Sequence, residues 1–347
     1  MKHATTGSTH SVGHRIVDFL ERYGVLVAFA LLFAANAIWQ GEVFLKPESL
    51  RNLLNQNAAT GIIAVGMTLV IIAGGIDLSV GAVMAFAAAL AMMTLNGLIG
   101  TAGEGMGEVG AVWIGLATGV AVGAACGALN GLMVTVGRIP AFIATLAGLV
   151  GFRSVTLALA KGGEIRSSSG EFLQSIGRGG IPVPGLTVGN GQPLTIYWSI
   201  VVLAVVVVAG QVLLSRTRLG RHFVAVGSNE LAARYSGIPV GRVRVWGYTI
   251  VGVCAGIAGL TQMARMNSVS SSQLGLYAEL DAIAAVVIGG TSMAGGRGRV
   301  WGTLVGVLIL GMISQMLVTS GVEVYWQGFV KGVIIVLAVL VQRGRRF

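Results

Sequence analysis

Few side chains in this sequence could do chemistry, and most of them interrupt stretches that are otherwise apolar. Asp77 follows Gly74-Gly75 inside a long apolar run. Arg153 stands near the middle of another, Lys331 lies a short way into a third, and Glu279 and Asp281 open a short one. A charge at membrane depth is costly and normally faces a cavity or a partner. Asp77 also reads as a turn or capping residue at a membrane edge, and Glu279 and Asp281 as first-turn carboxylates favoured by a helix dipole. Lys331 can snorkel to the interface, whereas Arg153 calls for a carboxylate partner or a polar route. Gln56, Asn57, Asn130, Thr145, Gln262 and Gln327 add neutral hydrogen-bonding groups. A neutral polar solute such as a sugar is recognised by amides that match hydroxyls and by stacking aromatics. Phe142, Trp301 and Trp326 could stack, or could anchor span ends at the interface. The residues expected along a polar route are Asp77, Asn130, Phe142, Thr145, Arg153, Asp281 and Thr291.

Enzyme signatures are missing from the sequence. It has no G-x-x-x-x-G-K-[ST] phosphate loop, so it is not expected to bind ATP itself, and no H-E-x-x-H pair. His3, His10 and His14 fall in the N-terminal tail and His222 in a basic segment, so no His/Cys/carboxylate cluster has metal spacing. Cys126 and Cys254 sit in apolar stretches and read as small packing residues. The expectation is a non-enzyme with no metal and no bound cofactor.

Those side chains must be positioned by membrane helices. Of 347 residues, 54 are Gly, 54% are hydrophobic and 10% charged, with a mean hydropathy of +0.83. Soluble domains carry about 25% charged residues, and this composition cannot cover a water-exposed surface. A cytosolic enzyme, a disulfide scaffold and a disordered regulator are excluded. The fold class is all-α, polytopic, with about ten transmembrane helices. These run approximately over Tyr23–Trp39, Ala58–Ala73, Leu78–Leu95, Gly110–Thr135, Pro140–Ala160, Thr195–Leu214, Val245–Ala264, Leu280–Gly290, Val300–Val318 and Trp326–Val341, each weighed against the roughly 20 apolar residues a bilayer demands.

Basic residues orient the chain. With ten spans and both termini cytoplasmic, the inside holds Lys2, Arg15, Arg22, Arg138, the arginines of 215–244, Arg297, Arg299, Arg343, Arg345 and Arg346. The outside holds Lys46, Arg51, Lys161, Arg166, Arg178 and Arg265. The net charge of +10 is therefore read as topology rather than as nucleic-acid binding. The organisation is a cytoplasmic tail (1–22), read as leading into an anchor rather than a signal peptide, a transmembrane domain (23–342) and a basic tail (343–347). The domain carries an outer loop at 161–193 and an inner loop at 215–244.

Glycine spacing predicts close packing. Gly115, Gly119, Gly123, Gly127 and Gly131 recur every four residues and draw a stripe along one helix. The stripe suits packing within the chain, with a subunit interface as the other use. Ala73-Gly-Gly-Ile-Asp-Leu-Ser-Val-Gly81 and Ala294-Gly-Gly-Arg-Gly-Arg-Val-Trp-Gly302 share Ala-Gly-Gly and a final Gly at equal spacing. Such Gly-interrupted pairs point toward transport pathways.

The inner loop is the most distinctive soluble part. Asn229 is an N-cap candidate, Glu230 suits a first turn, and Gly237 can stop the helix before Pro239. A short exposed helix flanked by arginines could lie on anionic lipid or dock a soluble partner.

At this point the sequence resembles a family, the ribose/monosaccharide-type permease subunits of bacterial ABC importers. Gly227–Gly237 looks like their G-x-N-E-x-A-A-R-x-S-G loop, with Ser228 where Gly is common. Three further segments match in order: Gly74-Gly-Ile-Asp-Leu-Ser-Val-Gly81; Asn130-Gly-Leu-Met-Val-Thr with Ile139-Pro-Ala-Phe-Ile-Ala-Thr-Leu146; and Val287-Ile-Gly-Gly-Thr-Ser-Met-Ala-Gly-Gly-Arg-Gly298. The outer loop has no close match.

The resemblance implies a multi-pass protein of the bacterial inner membrane. Its partners would be a second permease subunit (identical or paralogous), a cytoplasmic ABC ATPase that uses ATP and Mg, and a periplasmic sugar-binding protein. Gly227, Asn229, Glu230, Ala232, Ala233, Arg234 and Gly237 would couple to the ATPase. The alternatives are a permease of related architecture for a branched-chain amino acid or nucleoside, and an ion-driven secondary transporter.

Overall fold

The computed structural model describes residues 12–101, 107–188, 191–323, 326–330, 332–334 and 336. Residues 1–11 of the expected N-terminal tail, Lys331, much of the tenth expected span and the 343–347 tail lie outside the described residues.

The helices are α1 (Val12–Gln40), α2 (Glu42–Leu45), α3 (Pro47–Ile72), α4 (Val80–Thr101), α5 (Glu108–Thr135) and α6 (Ala141–Leu159), then α7 (Phe172–Arg178), α8 (Trp198–Arg216), α9 (Arg218–Ser228), α10 (Glu230–Tyr235), α11 (Val240–Met266), α12 (Ala278–Ile288) and α13 (Val300–Thr319). Two antiparallel strand pairs add a small β component to the expected all-α fold. β1 (Glu164–Arg166) pairs with β4 (Ser268–Ser270), and β2 (Gly180–Thr187) pairs with β3 (Pro193–Tyr197). The outer loop is thus folded, as β1, α7 and the β2–β3 hairpin.

Seven described helices are long and apolar enough to cross a bilayer: α3, α4, α5, α6, α8, α11 and α13. Of the other three expected spans, the first contributes the shorter apolar helix Gly24–Gln40. The eighth is α12, whose 11 residues reach only about 16 Å at 1.5 Å per residue. The tenth falls largely outside the described residues.

Successive helices alternate between two ends. At one end β1 meets β4, Asn96 accepts from Ser168 N, and Arg178 Nε donates to Arg265 O. At the other, the Gly296 N–H donates to Ile72 O (2.8 Å), and Arg138, Arg234 and Arg244 share one cavity. Arg178 and Arg265, assigned to one side by the sequence, thus lie at one end, and Arg138, Arg234 and Arg244, assigned to the other side, at the opposite end.

α3 and α11 carry most of the core, around Ile62, Ile63, Met67, Val251 and Ala255. The glycine stripe of α5 is the closest seam. Gly115 lies on α4, against Ala91 and Leu95, and Gly119 lies between α4 and α11. Gly123, Gly127 and Gly131 lie on α11, where a Cβ on Gly123 would overlap Gly252 O and one on Gly127 would overlap Tyr248 O. All five face helices of the same chain, since backbone approach this close is available only to glycine. Cys126 and Cys254 are buried and unbridged.

Gly127→Leu is expected to lower stability by at least the roughly 1–3 kcal/mol of an overpacked core. Gly151→Leu, on α6 with nothing within 4 Å of its Cβ position, should be nearly silent. Thermal melts of the two purified variants in detergent check the contrast.

Candidate functional site

The arginine-rich end carries the short helix expected between Asn229 and Gly237. Thr217 caps α9 by accepting from Gly220 N, and Asn229 ends α9 while capping α10, its Oδ1 accepting from Ala232 N (2.9 Å). Gly237 leaves the helix at φ +78°, which glycine adopts without strain. Glu230 is not a free charge. It pairs with Arg234 (3.1 Å) and with Arg244 on α11 (2.5 Å), stapling α10 to the bundle. Ala233 is 4% exposed and packs inward, whereas Leu231 at 62% and Tyr235 at 85%, one helical turn apart, face outward. The outward face therefore consists of Leu231, Ala232, Arg234 and Tyr235, and two large apolar side chains stand proud of it.

Gly227 lies in the last turn of α9 at a junction of backbones. A Cβ there would overlap Ile72 O at the end of α3 and stand 2.6 Å from Gly296 N. Gly295 (φ +85°) and Gly296 (φ +73°) turn the chain against it. The two Ala-Gly-Gly segments thus meet here, one after α3 and one before α13.

Two stretches leave the helical path within the bundle. Residues 73–79 separate α3 from α4, and residues 271–277 lead from β4 to α12. In the first, Asp77 Oδ1 accepts from Ser79 N (2.8 Å) and Ser79 Oγ (2.6 Å), and Asn130 Nδ2 donates to Ser79 Oγ (2.7 Å). All three residues are buried, and the Tyr248 hydroxyl donates to Ile76 O (3.1 Å). Asp77 and Asn130 are thus joined in one polar cluster that shapes the break.

Arg153 serves the second break. Its guanidinium donates to Leu274 O (2.7 Å), Ser271 O (3.2 Å) and Gly81 O (3.4 Å). Arg153 sits about 18 Å along α6 from Ala141 and about 9 Å from Leu159 at 1.5 Å per residue, well inside the bundle. The segment after β4 therefore re-enters the bundle, and α12 runs from there back to the arginine-rich end, where Gly289 abuts Gly302. The partner of Arg153 is backbone carbonyl rather than a carboxylate, with Glu279 alongside in the same small cavity.

The remaining expected residues scatter. Thr145 is buried, and its hydroxyl donates within its own helix to Ala141 O (2.9 Å). Phe142 is an exposed side chain of α6. Thr291 is buried at the arginine-rich end beside Gly298, its hydroxyl unpartnered among the described residues. Of the seven, Asp281 lines the cavity of about 550 Å³ that opens near β1 and β4. The same cavity is lined by Thr60, Gln262 and Gln273, with Ile63 and Met84 among its apolar walls. Glu164 stands at its rim, its carboxyl held below the usual range by the Ser268 side chain and by Arg166. Sequence reasoning did not single out Gln273, Gly275, Ser79 or Tyr248. The polar run Ser268–Gln273 just before an apolar stretch was the available signal for the re-entrant segment.

Seven membrane-length helices around two internal breaks, with a short exposed helix at one end and a cavity at the other, describe a multi-pass membrane protein. Residues 49–339 match the family described as branched-chain amino acid transport system / permease component. The chain is 41% identical over 322 residues to the ribose import permease protein RbsC of Escherichia coli (strain K12), covering 93% of this chain and 92% of that one. It is 43% identical over 304 residues to RbsC of Bacillus subtilis (86% of each) and 33% identical over 382 residues to the xylose transport system permease protein XylH of Haemophilus influenzae (94% and 97%). No solved structure matches the chain. The chain belongs to this permease family and, within it, to the ribose/monosaccharide-type ABC permeases.

Ser79→Ala should cost about 1–3 kcal/mol, because it removes the hydroxyl that bridges buried Asp77 and Asn130, leaving the Asn130 amide without that acceptor and Asp77 with only the backbone N–H of residue 79. Thr145→Val, which removes a bond only within its own helix, should cost less. Chemical or thermal unfolding in detergent ranks the two.

Proposed function

We propose that the chain is the membrane subunit of an ATP-driven importer that moves a monosaccharide, a pentose such as ribose or xylose or a hexose, across the bacterial inner membrane. The observation that carries this reading is the outward apolar pair Leu231/Tyr235 on α10, in a chain so similar to ribose permeases. A helix that exposes such a pair next to arginines suits a soluble protein groove better than lipid headgroups alone, and hot spots of this kind dominate docking.

ATP hydrolysis then belongs to a partner ATPase, for which this chain has no phosphate loop. Gly227, Asn229, Glu230, Ala232, Ala233, Arg234 and Gly237 form the coupling segment in distinct roles. Asn229 and Gly237 shape the helix, Glu230 and Ala233 fasten it to the bundle, Ala232 and Arg234 face the ATPase, and Gly227 passes motion to α3 and to the segment before α13. The arginine-rich end is cytoplasmic by the positive-inside rule. Ten membrane segments, seven full spans together with Gly24–Gln40, α12 and the segment from Trp326, bring both termini to that side. The solute enters at the β1/β4 end, from a periplasmic binding protein, and passes the breaks near Asp77, Asn130, Arg153 and Thr291, with α6 and its exposed Phe142 facing the second permease subunit. A neutral sugar fits better than a zwitterion, because Arg153 is already engaged by three carbonyls.

Tyr235→Ala with Leu231→Ser should weaken docking by about 2 kcal/mol, roughly 30-fold, and reduce binding-protein-stimulated ATP hydrolysis in reconstituted importer without changing the melting temperature. Unchanged stimulation sinks the docking assignment. Glu230→Lys, which sets a third positive charge against Arg234 and Arg244, should impair the same stimulation while the bundle stays folded.

Gly227→Ala should act differently. By prying α9 from Ile72 it is expected to leave ATP hydrolysis within about twofold while uptake falls by about tenfold, the effect of roughly 1.4 kcal/mol on a coupled step. Parallel measurement of hydrolysis and uptake in proteoliposomes tests the split.

A further inference from the structure

Non-helical backbone at membrane depth persists only where protein buries it or where it lines a water-filled cavity. The stretch 271–277 meets both conditions. On its α6 side, Arg153 takes the carbonyls of Ser271 and Leu274, and Gly275 (φ +71°) packs so tightly on Gly81 that a Cβ would overlap Gly81 O. On its other side, Gln273, Leu274 and Gly275 form part of the wall of the 550 Å³ cavity, together with Thr60 of α3, Gln262 of α11 and Asp281 in the first turn of α12. That volume lies within the range of small-molecule sites. Among the described residues the side-chain amides of Gln262 and Gln273 make no hydrogen bond to protein, although the Gln273 carbonyl accepts from Leu276 N, so both amides are available.

We propose that this cavity is a transit site for a neutral polyhydroxylated solute, in which the side-chain amides of Gln262 and Gln273, aided by Asp281, read the hydroxyl groups. The assignment rests on the sugar-importer reading and gives that reading its first recognition point inside the membrane subunit. An amide offers two donors and two acceptor sites, which matches a hydroxyl that both donates and accepts. Among the described residues no aromatic ring lines the cavity. The hold on the solute is consequently weak, as a site that must also release inward requires. Arg153 is a positioning residue here. It fixes the wall from behind and does not touch the solute.

The test uses the complete importer, with its ATPase and binding protein, in proteoliposomes supplied with ribose, xylose and glucose. Gln262→Met with Gln273→Met removes the polar groups at nearly constant size, and its melting temperature checks folding. The double variant is expected to lose uptake by about tenfold or more, since a site built to bond hydroxyls fails when those bonds are removed. Its stimulated ATP hydrolysis should stay within about twofold of the unmodified importer. Rescue by Gln262→Asn with Gln273→Asn, which shortens but keeps the amides, should restore part of the uptake and alter the preference among the three sugars. If the unmodified importer moves sugar and the Met double variant moves it equally well, the transit-site assignment falls alone. If the unmodified importer hydrolyses ATP yet moves none of the three sugars, the sugar reading falls and takes this assignment with it. Equal loss of uptake and of hydrolysis would also overturn it, by making the two amides structural.

Discussion

A peptide group that leaves its helix inside a bilayer loses its hydrogen bonds and finds no water to replace them. That constraint organises the centre of this molecule. Two stretches, 73–79 and 271–277, depart from helical geometry, and the residues around them supply what the broken ladder cannot. Asp77 and Ser79 satisfy each other and are clamped by Asn130, the Tyr248 hydroxyl takes Ile76 O, and Gly296 N takes Ile72 O. Arg153 takes three carbonyls around the second break. Asp77, Tyr248 and Arg153, three of the polar side chains inside the bundle, are thereby accounted for by backbone that needs them.

Glycine makes these arrangements possible in two ways. Along α5 it removes side chains, so that α11 approaches to backbone contact over several turns. At Gly227, Gly275, Gly295 and Gly296 it lets turns and helix ends meet where any Cβ would collide, three of these four at positive φ. The first use makes a rigid slab of α4, α5 and α11. The second places unbranched, closely fitted joints between that slab and the parts that must move in a transporter.

The sequence made the membrane class plain, because 54% hydrophobic and 10% charged residues leave no other solution for 347 residues. It also marked the short helix α10, since Asn229, Glu230, Gly237 and Pro239 are local signals whose effect does not depend on distant contacts. The broken span was hidden, because Leu280–Gly290 reads as a short apolar span whether its helix begins at the membrane edge or, after an extended stretch, inside the bundle. What distinguishes the two is Arg153, more than a hundred residues earlier, and its choice of carbonyls over carboxylates has no signature in spacing. The same holds for Glu230. Its place in a first turn was legible, but Arg244, fourteen residues later, folds back onto it.

The repeated Ala-Gly-Gly segments show how a weak pattern in sequence becomes a strong one in space. Read singly, Ala73-Gly74-Gly75 and Ala294-Gly295-Gly296 are two flexible turns. In the fold they close on each other and on Gly227, so the last turn of α9, the end of α3 and the approach to α13 share one contact. α10 is joined to α9 by Asn229, which caps both helices, and to α11 by the Glu230–Arg244 pair. From α9 the stiffest route inward is this junction, since backbone atoms in contact cannot absorb movement by changing rotamer. α3 runs from this junction along one wall of the cavity that Gln262 and Gln273 line, and the first turn of α12, packed on α3 and α13, forms part of another. The exposed face at Tyr235 is thereby joined to the cavity by an unbroken series of packed elements, α10, α9, this junction and α3.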